Sequence, residues 1–517
     1  MNRMLVKSLF FLVMPVFTVC YGQNPDVSGF SGGNPNRSNV IPLKMTLSDV
    51  IQTARDQSLS AMMAKHNFLV SYWKFRTYKA QFLPSLNLGA DLGQYNRSLV
   101  AIQNSETGEI NYVNNDNMKN SLKLSIDQNI AFTGGTVSLY TSLYRLDQFS
   151  PDKSVTYNSQ PINISYTQPI RAFNSLKWER KIEPKRFEMA KMEYLESMEN
   201  VTVYATQFFF ELLLAQKELE LAVNNNESTA GLYKIAQERF EIGSVSKDEL
   251  LQLKLRILNN DISLRDKELA LKSKMMKLRN YLGFNENVEL ELIVPVADFN
   301  LVLNFDEVMH NVNINSSFSI SNEIDILEAD KAVARAKSTS GLQASLYAQF
   351  GLTQVGKGEN LGNAYKSPLD QEIVGLSLKL PIMDWGLGRG GVKVAKSQDK
   401  VIELQVEQSV TEKREDILFK VLQFNIQGSQ CAVSAQADTI GRERYDVTRQ
   451  RFLNGSLNVT ELNNAQTEMD NASIRYLKDL SNYWNYYYNI RKLSLYDYFR
   501  KQKLDEDFEK LCGEKLQ

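Results

Sequence analysis

The sequence predicts a mixed α/β membrane protein, a β-barrel running into a tall layer of long helices and written as two internal repeats. Three observations carry this: an export leader with no later membrane-spanning apolar run, matched segments at fixed offsets, and strictly alternating stretches of about ten residues between helical stretches of about 70.

Residues 1–22 read as a signal peptide. Arg3 and Lys7 precede the apolar run Leu9-Phe10-Phe11-Leu12-Val13-Met14-Pro15-Val16-Phe17, and the small residues Cys20 and Gly22 place cleavage before Gln23. About twelve apolar residues are too few to cross a ~30 Å hydrocarbon core, which argues against an anchor helix. Lipid modification of Cys20 is a second reading, weakened by the bulky Val19 before it. The densest later run, Phe208-Phe209-Phe210-Glu211-Leu212-Leu213-Leu214, is short and carries a charge. No spanning helix is expected after export. A barrel, whose signal is alternation, stays open.

Composition removes most other classes. In 517 residues, 59 basic side chains face 60 acidic ones, so the basic surface that nucleic acid requires is missing. The two histidines, His66 and His310, lack metal-ligand spacing, and three cysteines build no zinc site, Fe–S cluster or disulfide framework. No catalytic constellation emerges, and no cofactor is expected.

The repeat is legible in matched blocks. Arg239-Phe240-Glu241-Ile242-Gly243-Ser244 is answered by Arg451-Phe452-Leu453-Asn454-Gly455-Ser456, 212 residues on, and Pro169-Ile170 by Pro381-Ile382 at the same offset. Ser85-Leu86 is answered by Ser345-Leu346 at 260, so the first copy holds 48 extra residues between its Ser-Leu and Pro-Ile blocks. The expected organisation is an N-terminal extension (23–45), repeat 1 (46–284) with an extra hairpin over 119–160, a linker (285–304), repeat 2 (305–496) and a charged tail (497–517), a solvated helix or partly disordered. Alternation is clean at Leu86/Leu88/Ala90/Leu92, Leu122/Leu124/Ile126, Val137/Leu139/Leu143, Ile162/Ile164/Tyr166, Leu346/Ala348/Phe350/Leu352 and Val374/Leu376/Leu378/Leu380. A sandwich would alternate equally; the leader and the ten-residue lengths favour a lipid-facing barrel.

Helix lengths define the second layer. Residues 173–241 and 389–453 each predict a helix of about 100 Å, and Lys247–Leu282 and 459–493 predict return helices of roughly 55 Å. Stretches 47–80 and 305–341 predict two more of similar length, each stacking on a return helix. Within Lys247–Leu282, Leu250, Ile257, Leu264, Leu271 and Leu278 recur every seven residues, and so do Leu255, Ile262, Leu269 and Met276. The series lie roughly 140° apart at ~100° per residue, which asks for a neighbour on each side: a ring of helices or the interior of a bundle.

In this order and twice over, these elements resemble the TolC-like outer-membrane efflux family. Further points of likeness are Thr46-Leu47-Ser48-Asp49-Val50, Ala80-Gln81-Phe82-Leu83-Pro84-Ser85-Leu86, Tyr166-Thr167-Gln168-Pro169 and Leu378-Lys379-Leu380-Pro381. The resemblance implies an outer-membrane β-barrel continuous with a long periplasmic α-helical coiled-coil barrel, assembled as a homotrimer in outer-membrane lipid. It also implies a periplasmic adaptor protein and an inner-membrane pump as partners, and no cofactor. The helical tips, Arg239, Phe240, Gly243, Ser244, Arg451, Phe452, Gly455 and Ser456, would meet the adaptor. The glycines suit the reversal, the serines its exposed amides, and Phe240 and Phe452 the packing of the tip.

The family places acids six and nine residues after the second turn glycine at the periplasmic gate. Here those positions are Glu461 and Asn464, so one acid is kept and one lost. The family's latching tyrosine and arginine are replaced by Phe452 and Leu457, with Glu249 and Asp248 at the facing positions of the first repeat. Phenylalanine and leucine cannot form a polar latch, so closure is expected to rest on their apolar packing. Glu461 has a second reading as an ordinary first-turn acid. A passive porin would need no long helices, and a pore-free periplasmic scaffold would need no barrel. The aromatic run Tyr483-Trp484-Asn485-Tyr486-Tyr487-Tyr488 reads as packing. The extra segments 121–130 and 136–145, joined by a short turn and flanked by polar loops at 104–119 and 147–160, predict six strands per chain and eighteen per trimer. A hairpin standing above an ordinary barrel is the alternative.

Overall fold

The computed structural model describes residues 41–103, 107–150 and 152–513; the leader with Cys20 and residues 23–40 of the extension lie outside the described residues. After β1 (Ile41–Met45), Thr46 starts α1 (Leu47–Gln57) with a capping box closed by Asp49. The single helix expected over 47–80 is broken at Ser58, whose extended backbone ends α1 and whose hydroxyl accepts from Ala61 N to start α2 (Leu59–Ala80). Ser316 breaks the corresponding helix of the second repeat into α5 (Phe305–Asn315) and α6 (Ser317–Thr339).

Between these helices and the long ones lie the strands β2 (Ser85–Gln103), β3 (Ile110–Ile130), β4 (Gly135–Ser150) and β5 (Ser154–Pro169) in the first repeat, and β7 (Gln343–Lys357) and β8 (Leu369–Lys379) in the second. They form one antiparallel sheet in the order β2-β3-β4-β5-β7-β8. Register largely separates the two faces. Leu86, Ile126, Leu139, Ile164 and Phe350 lie in one cross-strand row that ends on Glu372 of β8, whereas the row beside it is Asn87, Ser125, Tyr140, Asn163, Gly351 and Gln371. In a single chain the sheet is open, with β2 and β8 as its edges. The stretches read as loops at 104–119 and 147–160 are mostly strand: β3 starts at Ile110, β4 runs to Ser150 and β5 begins at Ser154. Bulges at Asp91/Gln94, Asp116/Asn117, Tyr140/Ser142 and Ser159/Asn163 bend these long strands.

Below the sheet run α3 (Ser175–Glu241) and α7 (Leu387–Leu453), 67 residues each, and the return helices α4 (Lys247–Leu282) and α8 (Val459–Ser494). The principal core lies at mid-height. There β6 (Val288–Leu292) pairs in parallel with β1, tying the linker to the N-terminal extension. Tyr483 and Tyr487 of the aromatic run are fully buried, and Tyr483 donates to Asp298 O (2.8 Å). Glu199, only 2% exposed, accepts from Arg55 (2.9 Å) and Arg491 (2.7 and 2.8 Å), which joins α1, α3 and α8. The tail is not merely solvated: α9 (Phe508–Cys512) sets the Phe508 ring 5.2 Å from that of Phe68 and 6.0 Å from that of Tyr194.

Candidate functional site

The two tips of the helical hairpins are built alike. α3 ends as Gly243 takes φ +80°, with Gly243 N donating to Phe240 O (3.0 Å) and Ser244 N to Arg239 O (2.8 Å). At the second tip Gly455 takes φ +77°, Gly455 N donates to Phe452 O and Ser456 N to Arg451 O, both 2.9 Å. These are glycine-terminated helix ends whose backbone amides satisfy the last carbonyls. Ser244 and Ser456 supply only backbone donors. The caps of the return helices are Ser246, closed into a box by Glu249, and Asn458, whose side chain accepts from Glu461 N (2.9 Å). Sequence reasoning placed this role two residues too early in both repeats.

The tips are not equivalent in packing. Phe240 and Arg451 are exposed, but Phe452 is 4% exposed, in an apolar cluster with Leu232, Ala236, Leu253, Val459 and Leu462, with Leu457 packed against it. Residues of both hairpins contribute, so Phe452 joins them within one chain. Arg239 reinforces the joint: its guanidinium donates to Phe452 O (3.3 Å) and Leu453 O (2.7 Å) and lies 5.8 Å from the centre of the Phe452 ring. Of the expected gate residues the structure thus brings together Phe452 and Leu457. Glu249 is engaged in its cap, Asp248 accepts from Gln252 (2.8 Å), and Glu461 and Asn464 lie on the first turns of α8, both exposed.

Above the apolar cluster sits a polar layer that sequence reasoning missed. Asn225 of α3 donates to Asp470 of α8 (2.6 Å), Arg256 of α4 donates to Gln466 of α8 (2.9 Å), and Gln466 donates to Asn225. Asn260 completes it through Asn225 O (3.2 Å) and Thr229 (3.0 Å). Burial raises the Asp470 carboxyl above its ordinary value against the pull of Asn225 and Arg256, and burial lowers Arg256. In the sequence it is scattered over three i, i+4 polar pairs, Asn225/Thr229, Arg256/Asn260 and Gln466/Asp470, on three helices far apart in the chain, and only their meeting makes it a layer.

Two apolar seams have no partner among the described residues. On α4 the series Leu250, Ile257, Leu264, Leu271 and Leu278 is buried or half-buried, but Leu255, Ile262, Leu269 and Met276 are 54–70% exposed. On α7, Phe419, Ile426, Val433, Ile440 and Val447, again seven apart, are 55–67% exposed. Among the described residues no three or more His, Cys, Asp or Glu gather to hold a metal ion, His66 and His310 are not fully buried, and no helix is long and apolar enough to cross a membrane.

Comparison with known proteins agrees with this architecture. The family described as Outer membrane efflux protein matches residues 50–284 and 317–494. No curated protein sequence matches the chain. Among solved structures, the CmeC outer membrane channel of Campylobacter jejuni is similar at TM-score 0.63 and 16% identity, over 90% of this chain and 88% of that one. The outer membrane protein VceC of Vibrio cholerae is similar at 0.61 and 12%, over 89% and 97%. The MtrE outer membrane channel of Neisseria gonorrhoeae, in its open state, is similar at 0.56 and 13%, over 87% and 88%.

Proposed function

The chain belongs to the outer membrane efflux protein family, and we propose that it acts as a homotrimeric duct of a tripartite export system, receiving cargo from a periplasmic adaptor and an inner-membrane pump. The observation that carries the trimer is the pair of unpartnered seams. α4 runs away from the tips and α7 towards them, so Leu255–Met276 of one copy can lie antiparallel to Ile426–Val447 of the next. Both seams span three heptads at similar height. Each aliphatic side chain removed from water contributes ~1.5–3 kcal/mol, and a seam on each side of the protomer generates a closed ring of copies. With both faces of the wall so occupied, the tips are left to meet the adaptor. Arg239, Phe240, Gly243, Ser244, Arg451, Gly455 and Ser456 form that surface.

Cargo, whether small molecules or proteins, passes the tips first. There Glu461 stands free of any capping-box role, since Asn458 caps α8 alone. Three copies of it place a ring of negative charge at the entrance, with Asn464 one turn further in, and such a ring attracts cations in a narrow pore. The test is ion selectivity in planar bilayers. The wild-type trimer is expected to show cation-selective steps, and Glu461→Gln to lower the cation-to-anion permeability ratio severalfold with the trimer intact. Unchanged selectivity would remove the ring from the account, and absence of conductance steps would remove the duct.

A further inference from the structure

Resting on the trimer reading, we propose that three copies close an eighteen-stranded barrel in which β8 of each copy pairs antiparallel with β2 of the next. All six strands belong to one hydrogen-bonded sheet, and β3 and β4, the strands in excess over the second repeat, lie inside it and not above it. They cannot be removed from the membrane band without stranding β2, whose ladder is made with β3 from Ser85↔Asp127 upward. The apolar row also crosses the excess strands without a break, Leu86 to Ile126 to Leu139 to Ile164 to Phe350. A hairpin standing in water above a smaller barrel would have no reason to continue that row in register with the strands on either side.

The two free edges fit each other. β2 ascends from α2 and β8 descends into α7, so an even number of strands makes the junction between copies antiparallel. β8 is 11 residues long, matching the ~9–11 residues that cross a bilayer at a tilt. Val374, Leu376 and Leu378 on its outward face are mostly exposed, as are Leu86, Leu88 and Leu92 on β2. Edges in water are normally guarded by charge or proline; β2 is apolar on its outward side from Leu86 to Leu92 and β8 from Val374 to Leu378, with Asp370 and Glu372 only at the end of β8 away from the helices, so these stretches call for a strand of the same kind.

Closure fixes the bore. With strands ~4.8 Å apart and tilted ~40°, eighteen strands give a barrel about 36 Å across between backbones, against about 24 Å for twelve. The four long helices of each copy would form a ring of twelve, about 35 Å across between axes at 8–10 Å spacing. The barrel then continues the tunnel at nearly constant width, so the periplasmic tips alone set the size of cargo.

Water-soluble maleimide applied to intact outer membranes tests this, using a Cys512→Ala chain. Buried Cys431, its thiol pushed up to about 11 by burial, stays unreactive. Lys123→Cys and Ser142→Cys, paired on the polar face, are expected to label at least tenfold faster than Leu124→Cys and Leu139→Cys on the apolar face. In parallel, Asn87→Cys combined in turn with Cys at Ile373, Gly375 or Ser377 is expected to give covalently linked copies for at least one pair. Fast labelling at Leu124→Cys and Leu139→Cys, or no linkage from any pair, in a protein that is trimeric by native mass would overturn the eighteen-stranded barrel and leave the trimer standing. A monomer by native mass would overturn both.

Discussion

Phe452 illustrates how one residue changes meaning between sequence and structure. Its position three before the turn glycine marks it as a gate residue, yet it is buried between its own two hairpins and held from outside by Arg239. The apolar packing expected to close the gate thus lies inside each chain, holding hairpin against hairpin. Phe452→Ala removes the centre of that cluster at a local cost of about 3–5 kcal/mol, and the closed-state conductance in planar bilayers is expected to rise severalfold. A conductance equal to wild type would show that the joint does not hold the tip shut. Asp470 works in the opposite direction. Its carboxyl is raised above 3.8 by burial, so the folded protein holds the proton more tightly than the unfolded chain. The stability this contributes is complete below about pH 3.8 and is lost as pH rises through the folded value. Asp470→Asn, permanently neutral and still able to accept from Asn225, is expected to raise the melting temperature at about pH 7.5 and to flatten its dependence on pH. A lower melting temperature at that pH would contradict this. None of it was legible in the sequence, because a buried polar layer is defined by which helices meet, and three i, i+4 pairs far apart in the chain do not announce their neighbours.

Among the elements, those with a strong periodic or punctuating signal were legible. The heptads of Lys247–Leu282 outline α4, and the glycines at 243 and 455 mark the reversals. What escaped were elements whose stability comes from partners. Residues 110–119 of β3, rich in asparagine, read as loop because Asn is disfavoured in strands; pairing with β2 and β4 overrides that preference where no face needs to be apolar. Helix breaks at Ser58 and Ser316 were hidden because one serine does not interrupt an apolar pattern, yet each caps a new helix or turns the chain into it. The C-terminal tail looked too charged to pack, but three aromatic rings, Phe508, Phe68 and Tyr194, anchor α9 against α2 and α3. Ending the chain after Leu504 strips that anchor and also removes Glu506 from beside Arg55. The truncated protein is expected to assemble but to lose heat resistance by several degrees, measured as the temperature at which detergent-solubilised trimers dissociate. Unaltered dissociation would reduce the tail to a passive extension.

For the whole molecule, the decisive property is that a single chain is unfinished: its sheet is open at β2 and β8, and two heptad seams lie bare on α4 and α7. The sequence showed the second seam of α4 as a demand for a neighbour without saying whether that neighbour was another part of the chain. The structure packs α3 against α4 and leaves the second seam exposed. In the proposed trimer the copies meet with α4 against α7, antiparallel, and the register set by the tips would bring Ile262 near Ile440. A photo-crosslinking amino acid at Ile262, activated in intact cells, measures this directly. The account predicts covalent dimers and trimers, with the linked peptide mapping to α7 around Ile440 of another copy. Crosslinks confined to the same chain, or none between copies, would contradict it.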